Sequence, residues 1–481
     1  MGGQEGRRSD GVTQVSNAAG AAGGMPPEKA GLIARGPAFL VGAALFIETL
    51  DGTILANALP TIAESFGMPA IDLKSAITAY LAAVAACIPM SGWMARRIGD
   101  RRLFCLALGG FTFASLICAA SQSFSMLIAA RVCQGMAAAM MVPVGRLLVL
   151  RALPKDQLVH VVAILTWPAL LAPAIAPLLS GLVIEWASWR WLFAINIPFG
   201  LAGMLFAARI LPTTRPEEAP ALDGIGLVLW MLLAGSLVFL VGDLATLSLR
   251  EATLFAICLT GVAAVLWRHL RRAPRPILDM RLLRISSFAH TVRGGSLVRM
   301  AIFANPFLLP LMFQIGFGMS ALESGALIFL GMIGNIGVKP LTTPVLRRFR
   351  VRTIILVNGT LLSLGFALFA AITVRTPPWA IQALLIATGM GRSLHFTTLN
   401  TLAFRDVPTD DMNGANTLFS TALQTNAALG VALGALALAL WPLIGGAGSD
   451  PLAAFRFAFL VVAILCLAGI IDAYRLDRPQ L

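Results

Sequence analysis

Two carboxylates stand in a segment that is otherwise almost wholly apolar. Glu48 and Asp51 lie three residues apart in ETLDGTILANALP (48–60), so on a helix both side chains share one face. A charge in the middle of a membrane costs at least about 2.5–3.5 kcal/mol, and it is kept where it meets a partner or a water-filled cavity. The pair is therefore typical of groups that take up a proton on one side of a membrane and release it on the other. The alternative is that one acid pairs with an arginine and joins two helices.

Basic residues in the apolar segments outnumber these two acids. Arg293 and Arg456 lie near helix ends, where a long side chain reaches the lipid headgroups. The others lie deeper, and a buried cation without an acidic partner attracts an anion. A cavity lined by them would favour an anionic molecule; the alternative is that they bind helix carbonyls and water. The full set is Arg131, Arg146, Arg293, Arg299, Lys339, Arg392 and Arg456.

One arginine and two neutral polar residues complete the candidate functional set. Arg131 can take part in proton coupling, donate to carbonyls of the first helix, or pair with Asp51. His395 lies one helical turn from Arg392 and can take up a proton near neutral pH, or it can serve only in packing. Gln314 follows two prolines in a stripe that can kink. The predicted proton-coupling residues are Glu48, Asp51 and Arg131, and the predicted substrate-cavity residues are Arg146, Arg299, Gln314, Lys339, Arg392 and His395.

The composition places these residues in a membrane. Of the 481 residues, 58% are hydrophobic and 12% are charged, whereas soluble proteins carry roughly 25% charged residues. Apolar runs recur between Gly36 and Tyr474, each about 20 residues long and able to cross a hydrocarbon core of ~30 Å. The sequence predicts an all-α polytopic membrane protein rather than a β-barrel.

The runs and their polar breaks predict fourteen transmembrane helices. Two basic loops, GWMARRIGDRR (92–102) and TPVLRRFRVRT (343–353), occupy the same place in two units of six helices. Paired units with a site between them are a common plan of membrane transporters. The predicted parts are a disordered tail (1–35), a first six-helix half (36–212), a linker with two extra helices (213–275), a second six-helix half (276–474) and a short tail (475–481).

The basic residues are distributed unequally between the two sides of this layout. The tails and every second connection hold 25 of the 36 Lys and Arg, and the opposite side holds four. This asymmetry follows the positive-inside rule and predicts that both termini are cytoplasmic. It also accounts for the formal net charge of +13 without any bound nucleic acid.

The six cysteines all fall in apolar segments, without paired spacing. This pattern favours neither a disulfide framework nor a metal site. We expect the cysteines to serve as small buried apolar residues.

Several stretches carry a resemblance to a known family. With the fourteen-helix layout, they resemble the major facilitator superfamily, and within it the fourteen-helix drug/proton antiporter branch, from residue 36 to residue 474. The stretches are LDGTILANALP (50–60), RVCQGMAAA (131–139), MMVPVGRLLVLRALP (140–154), WRWLFAINIPFG (189–200) and GMGRSLHFTTLNTL (389–402).

The resemblance implies structural roles for further residues and shows where this chain departs from the family pattern. In the loop after the second helix, the family has an Asp that is thought to form a charged contact between helices, and this chain has Arg96 at that position. Either Asp100 supplies this contact, or the contact is lost. In APAIAPLLSG (172–181), glycines of the family's antiporter motif are replaced by Ala172, Ala176 and Ser180. The positions that match, and are predicted to gate or shape the protein, are Gly92, Arg97, Gly99, Gln134, Gly135, Pro173 and Pro177.

These observations predict a secondary active transporter that uses a proton gradient and no cofactor. The sequence contains no GxxxxGK[ST] phosphate loop, and its four histidines are too scattered for a metal-dependent enzyme. We expect multidrug efflux across the bacterial inner membrane by a monomer whose partners are protons, the lipid bilayer and a small-molecule substrate. The surplus of embedded cations favours the alternative, export of one anionic metabolite or chelator such as an organic carboxylate.

Overall fold

A computed structural model describes residues 27–151, 158–211, 221–408, 411–445 and 451–476. Within these ranges the chain forms helices and no strands. The first half contains α1 (Pro27–Ile54), α2 (Leu59–Phe66), α3 (Lys74–Ile98), α4 (Asp100–Ala119), α5 (Phe124–Arg151), α6 (Leu158–Trp186), α7 (Trp191–Ala194) and α8 (Asn196–Ile210).

The rest of the described chain continues the same pattern. The inserted pair consists of α9 (Gly224–Asp243) and α10 (Leu249–Arg272). The second half contains α11 (Ser286–Val292), α12 (Gly294–Leu311), α13 (Ala321–Gly337), α14 (Lys339–Arg348), α15 (Val351–Ala371), α16 (Pro378–Phe404), α17 (Met412–Gly445) and α18 (Pro451–Ile471).

The structure supports only some of the fourteen predicted membrane spans. Eleven helices of the described chain are long and apolar enough to cross a membrane, or twelve if the bent pair α13–α14 is one span. The helices α6 and α16, with 29 and 27 residues, are long enough to cross but are not among the eleven. The count of fourteen therefore stays a prediction. Helix α1 begins at Pro27, inside the predicted tail, and residues 1–26 lie outside the described residues.

Glycines let the helices of each half approach closely. In the first half, a Cβ at Gly135 on α5 would lie 2.4 Å from the carbonyl oxygen of Tyr80 on α3. In the second half, a Cβ at Gly389 on α16 would lie 1.9 Å from the carbonyl oxygen of Gly331 on α13. Backbone cannot move away as a flexible side chain can, so larger residues are excluded here. Gly135 thereby fixes the depth of Arg131, which lies one turn earlier on α5.

We expect Gly389→Ala to destabilise the second half by about 1–3 kcal/mol, because the added methyl group forces α13 and α16 apart. The melting temperature of the purified protein in detergent measures the effect. Gly337→Ala is the matched control, since a Cβ at Gly337 meets nothing within 4 Å. Equal melting temperatures for the two variants would contradict the close crossing.

The inserted pair packs against both halves. Helix α9 contacts α3 of the first half and α17 of the second. The indole Nε1 of Trp230 donates to the carbonyl oxygen of Ala85 at 3.0 Å, and Lys74 Nζ lies 3.2 Å from an oxygen of Asp243. Helix α10 contacts α9 but is largely exposed, as expected for a helix that faces lipid. The pair is thus a fixed part of the bundle rather than a loose linker.

Candidate functional site

Asp51 is the centre of a buried hydrogen-bond network in the first half. Its carboxylate accepts hydrogen bonds from Arg131 Nη1 at 2.5 Å, Gln134 Nε2 at 2.9 Å and Asn196 Nδ2 at 2.8 Å. The hydroxyl of Ser115 accepts from the same two amides, at 2.8 Å from Gln134 and 3.3 Å from Asn196. Helices α1, α4, α5 and α8 therefore meet in one network, and each of the five side chains is at most 2% exposed.

Arg131 satisfies its charge almost wholly within this network. Its Nε donates to the carbonyl oxygen of Ala76 on α3 at 3.2 Å, and its Nη1 donates to Gln134 Oε1 at 2.7 Å. The guanidinium also lies over the ring of Tyr80, 4.2 Å from the ring centre. The sequence left open whether Arg131 donates to Asp51 or to first-helix carbonyls; the described contacts are with Asp51 and with a carbonyl of α3. Its Nη2 has no hydrogen-bond partner among the described residues.

Glu48 lies in a different environment from Asp51. The residue is half-buried, and its carboxylate accepts hydrogen bonds from Tyr80 Oη at 3.3 Å and Thr49 Oγ1 at 3.2 Å. Tyr80 thus contacts Glu48 with its hydroxyl group and contacts Arg131, the partner of Asp51, with its ring. Arg146 on α5 is exposed.

In the second half, Arg299 is buried without an acidic partner among the described residues. It is 1% exposed, and its Nη1 donates to the carbonyl oxygen of Thr291 at 2.9 Å. The guanidinium lies 4.8 Å from the ring centre of Phe419 and 5.9 Å from that of Phe396. The atoms Nε and Nη2 have no hydrogen-bond partner in the described chain. His395 is fully buried nearby, with Nδ1 3.5 Å from Asn358 Nδ2.

Lys339 and Arg392 are more accessible than Arg299. Both are half-buried. Lys339 Nζ donates to Thr397 Oγ1 at 3.0 Å, while the Nε of Arg392 has no partner in the described part of the chain. Among the residues predicted to line a cavity, those with an accessible charge are therefore Arg146, Lys339 and Arg392, whereas Arg299 and His395 are enclosed.

Asn57 joins the two halves at one end of the bundle. Its Nδ2 donates to the carbonyl oxygens of Pro177 at 3.1 Å and Ala321 at 2.9 Å. Its Oδ1 accepts from Gln314 Nε2 at 3.1 Å and Ser324 Oγ at 3.0 Å, and Gln314 also donates to the Asn57 carbonyl at 3.0 Å. All four hydrogen-bonding positions of this amide are used. Gln314, predicted as a cavity residue, lies at this closed end instead.

Two glycines bring the halves into backbone contact beside Asn57. A Cβ at Gly181 on α6 would lie 2.6 Å from the carbonyl oxygen of Ala321, and one at Gly325 on α13 would lie 2.2 Å from that of Pro177. Gly181 ends the stretch APAIAPLLSG, and it is the glycine that remains there. This end is therefore closed. Charge asymmetry predicts that this end faces outward, and the same prediction orients the accessible charges toward the cytoplasm.

The motif residues at the junction of α3 and α4 lie at the end of the bundle opposite the closed end. Arg97 is exposed, with its guanidinium 5.6 Å from the ring centre of Trp93. Gly99 has φ +92° and makes the turn between α3 and α4, a conformation that favours glycine. Arg96 is exposed, whereas Asp100 is buried at the start of α4. A Cβ at Gly92 would meet nothing within 4 Å; in α6, Pro173 is half-buried and Pro177 is buried.

Sequence reasoning missed several members of both networks. Ser115, Asn57, Asn196 and Ser324 were not identified as candidate functional residues. Each is a small polar residue in an apolar helix, and Asn196 lies inside the quoted stretch WRWLFAINIPFG. Their partners are far away in sequence, so type and spacing could not reveal them. Within the described residues, no group of three His, Cys, Asp or Glu is placed to hold a metal ion.

The chain belongs to the major facilitator superfamily. The sequence model of this family, described as "Major Facilitator Superfamily", matches residues 41–431. The protein is therefore a multi-pass membrane transporter and not an enzyme. The predicted all-helical fold and the predicted family are both confirmed.

Within the family, the chain is similar to curated bacterial proteins that share one name. Over 440 residues, the chain is 33% identical to "Putative multidrug resistance protein MdtD" of Pectobacterium carotovorum, with 90% of this chain and 94% of that protein covered. It is also 33% identical over 438 residues to the protein of the same name from Cronobacter sakazakii, with 89% and 91% covered.

Solved structures share the fold at low sequence identity. The human organic anion transporter MFSD10 (TETRAN) has a TM-score of 0.60 at 17% identity, with 93% of this chain and 100% of that chain covered. The POT family transporter PepTSo has a TM-score of 0.66 at 13% identity, with 92% and 99% covered.

Proposed function

We propose that this protein is a proton-coupled secondary transporter that exports small molecules across the bacterial inner membrane, of the multidrug-efflux type. The observation that carries the proposal is the Asp51 carboxylate, buried in the last turn of α1 and held by Arg131, Gln134 and Asn196. A buried charge pair is stable only while both partners keep their charges. Protonation of Asp51 would therefore release Arg131 and change the packing of the helices that meet there.

The mechanism couples this change to the closed end. Asp51 and Asn57 lie on consecutive segments of one helical path, α1 and the 3₁₀ turn Leu55–Ala58 that follows it. Loss of the ion pair would loosen α1 and let the two halves rock about the substrate, as paired halves do in secondary transporters. A ligand shifts such an equilibrium only by its different affinity for the two states. Glu48, half-buried and hydrogen-bonded to Tyr80, would pass the proton between the cavity and Asp51.

The names of the relatives support multidrug efflux, but one structural observation favours an anionic substrate. Arg146 is exposed and Lys339 and Arg392 are half-buried, and the Nε of Arg392 has no partner in the described chain. A cavity of this sign would raise the local concentration of anions. Export of an organic carboxylate or another anionic metabolite is therefore the second candidate.

Inverted membrane vesicles with an acidified lumen test coupling and substrate class together. We expect a substrate to dissipate the pH gradient in vesicles with the wild-type protein, and Asp51→Asn to abolish this response because the amide cannot bind and release the proton. One panel contains cationic dyes and the other contains small organic anions. A response to dyes supports multidrug efflux, and a response to anions alone supports the second candidate.

Glu64→Gln is the matched control, because Glu64 is an exposed acid on α2 outside the network. It should retain the wild-type response. Asp51→Asn activity equal to that of Glu64→Gln would refute the assignment of Asp51. Substrate transport that proceeds without any proton movement would refute coupling itself.

A further inference from the structure

A cavity of about 460 Å³ lies where α10 ends and the second half begins. The chain runs from the last turn of α10 through residues 273–279 into a 3₁₀ turn, Met280–Arg284, before α11. This region is on the side where the basic loops predict the cytoplasm. The cavity is therefore at the level of the inner-leaflet headgroups.

The walls of the cavity carry a surplus of positive charge. Four arginines and one aspartate line it, a net formal charge of +3. Asp279 is already engaged, because Arg281 donates to its carboxylate at 2.7 Å and 3.0 Å, and these hydrogen bonds hold the pKa of Asp279 below its usual value. Arg284 and Arg293 are exposed and have no acidic partner among the described residues. The guanidiniums that remain available are those of Arg271, Arg284 and Arg293.

An apolar surface adjoins these guanidiniums. Trp267 and Leu270 of α10 line the same cavity as Met280 and Leu283, and Arg271 lies over the Trp267 ring at 5.1 Å. Tryptophan is enriched at the membrane interface, where its indole meets both headgroups and acyl chains. The site thus combines a polar part for phosphate with an apolar part for hydrocarbon.

Buried contacts hold the walls in place. Asp223, before α9, accepts hydrogen bonds from the amides of Gly226 at 2.9 Å and Ile277 at 3.1 Å, and its Oδ1 lies 2.6 Å from Nε2 of His269 on α10. Burial alone would raise the pKa of Asp223, but these hydrogen bonds hold it below its usual value. The carboxylate thereby ties both inserted helices to the segment that forms the floor. Beneath it, Leu266, Leu278 and Leu282 pack in one buried cluster, so the cavity is preformed.

We propose that this cavity binds the phosphate headgroup of an anionic phospholipid from the inner leaflet. Arg284 and Arg293 would contact the phosphate oxygens, and Trp267 would lie along the glycerol and the first methylenes. A lipid is favoured over a soluble phosphate because the cavity adjoins α10, whose outer face is exposed along its length. Basic pockets between helices on the cytoplasmic side suit such headgroups. The bound lipid would fasten the inserted pair to the second half, a role independent of the proposed transport function.

Native mass spectrometry of the purified protein with phosphatidylglycerol, cardiolipin or phosphatidylcholine tests the site. We expect adducts with the two anionic lipids, and about 10- to 30-fold weaker binding after Arg284→Gln with Arg293→Gln, since each basic residue at a membrane surface contributes ~1 kcal/mol. The matched control is Arg347→Gln with Arg348→Gln, which removes two exposed charges from the last turn of α14. It should bind as the wild type does.

Two results would overturn the proposal. Equal losses in both double variants would mean that any basic loop attracts these lipids. Inorganic phosphate that displaces the lipids at millimolar concentration, or that stabilises the lipid-free protein as much as they do, would make the cavity a free-phosphate site. A misfolded variant would also lose lipid. The melting temperatures of both double variants are therefore measured in neutral detergent, and their lipid binding is compared once these temperatures are shown to be equal.

Discussion

Arg131→Met should be among the most damaging single substitutions in this protein, with a loss of about 3–5 kcal/mol in stability and no transport. Methionine leaves the Asp51 carboxylate buried without a cation, and it removes the donor to the carbonyl of Ala76. The two amides that remain, from Gln134 and Asn196, cannot neutralise a full charge. The melting temperature in detergent and transport in inverted vesicles measure the two effects.

A double variant separates the structural from the transport role of Arg131. Asp51→Asn with Arg131→Met removes both charges, so much of the lost stability should return. Transport should stay absent, because no titratable group remains at the centre of the network. The stability of Arg131→Lys should lie between those of the wild type and Arg131→Met, since a lysine cannot reach Asp51, Gln134 and the Ala76 carbonyl at once. A double variant as unstable as Arg131→Met alone would show that the pair is not the source of the lost stability.

The sequence made the charged residues of the Asp51 network easier to select than the neutral residues of the closed end, for a physical reason. A charge in an apolar helix is conspicuous because of its cost, so Asp51, Glu48 and Arg131 could be selected from residue type alone. Asn57 carries no charge and costs little to place, and its partners lie 120 to 267 residues away in the chain. Only the packing of the two halves brings them together.

The embedded cations show the same limit from another direction. Type and depth placed Arg299 and Arg392 in one group, but the structure encloses Arg299 against Phe419 and leaves Arg392 half-accessible. Helical spacing gives the face on which a side chain lies, but it does not show whether a neighbouring helix covers that face. The charge asymmetry, in contrast, depends only on the number of Lys and Arg residues in the loops and tails. The cytoplasmic location of the termini, which it implies, stays a prediction.

Asn57→Ala should open the closed end and shift the protein toward a state that faces the other side. Alanine removes the hydrogen bonds with Ala321, Gln314 and Ser324 that cross between the halves. At about 1 kcal/mol each, their loss changes the ratio of the two states on the order of 100-fold. The backbone contacts at Gly181 and Gly325 remain, so the end should loosen without unfolding.

Distances between spin labels measure this shift. In a background without the six native cysteines, one pair replaces Glu64 and Arg375, exposed residues of opposite halves at the closed end. The other pair replaces Arg102 and Arg347, exposed residues at the opposite end. Asn57→Ala should lengthen the first distance and shorten the second.

The control is Asn400→Ala, because Asn400 is exposed on α16 and distant from the contact between halves. It should leave both distances as they are in the wild type. If Asn57→Ala also leaves them unchanged, the amide does not hold the halves together, and the glycine contacts alone close this end. If the first distance lengthens while the second stays constant, the end frays locally and the halves do not rock as rigid bodies. A reciprocal change in the two distances is therefore the result that links Asn57 to alternating access, and adding substrate to the Asn57→Ala protein should then drive the same exchange at a lower concentration than in the wild type.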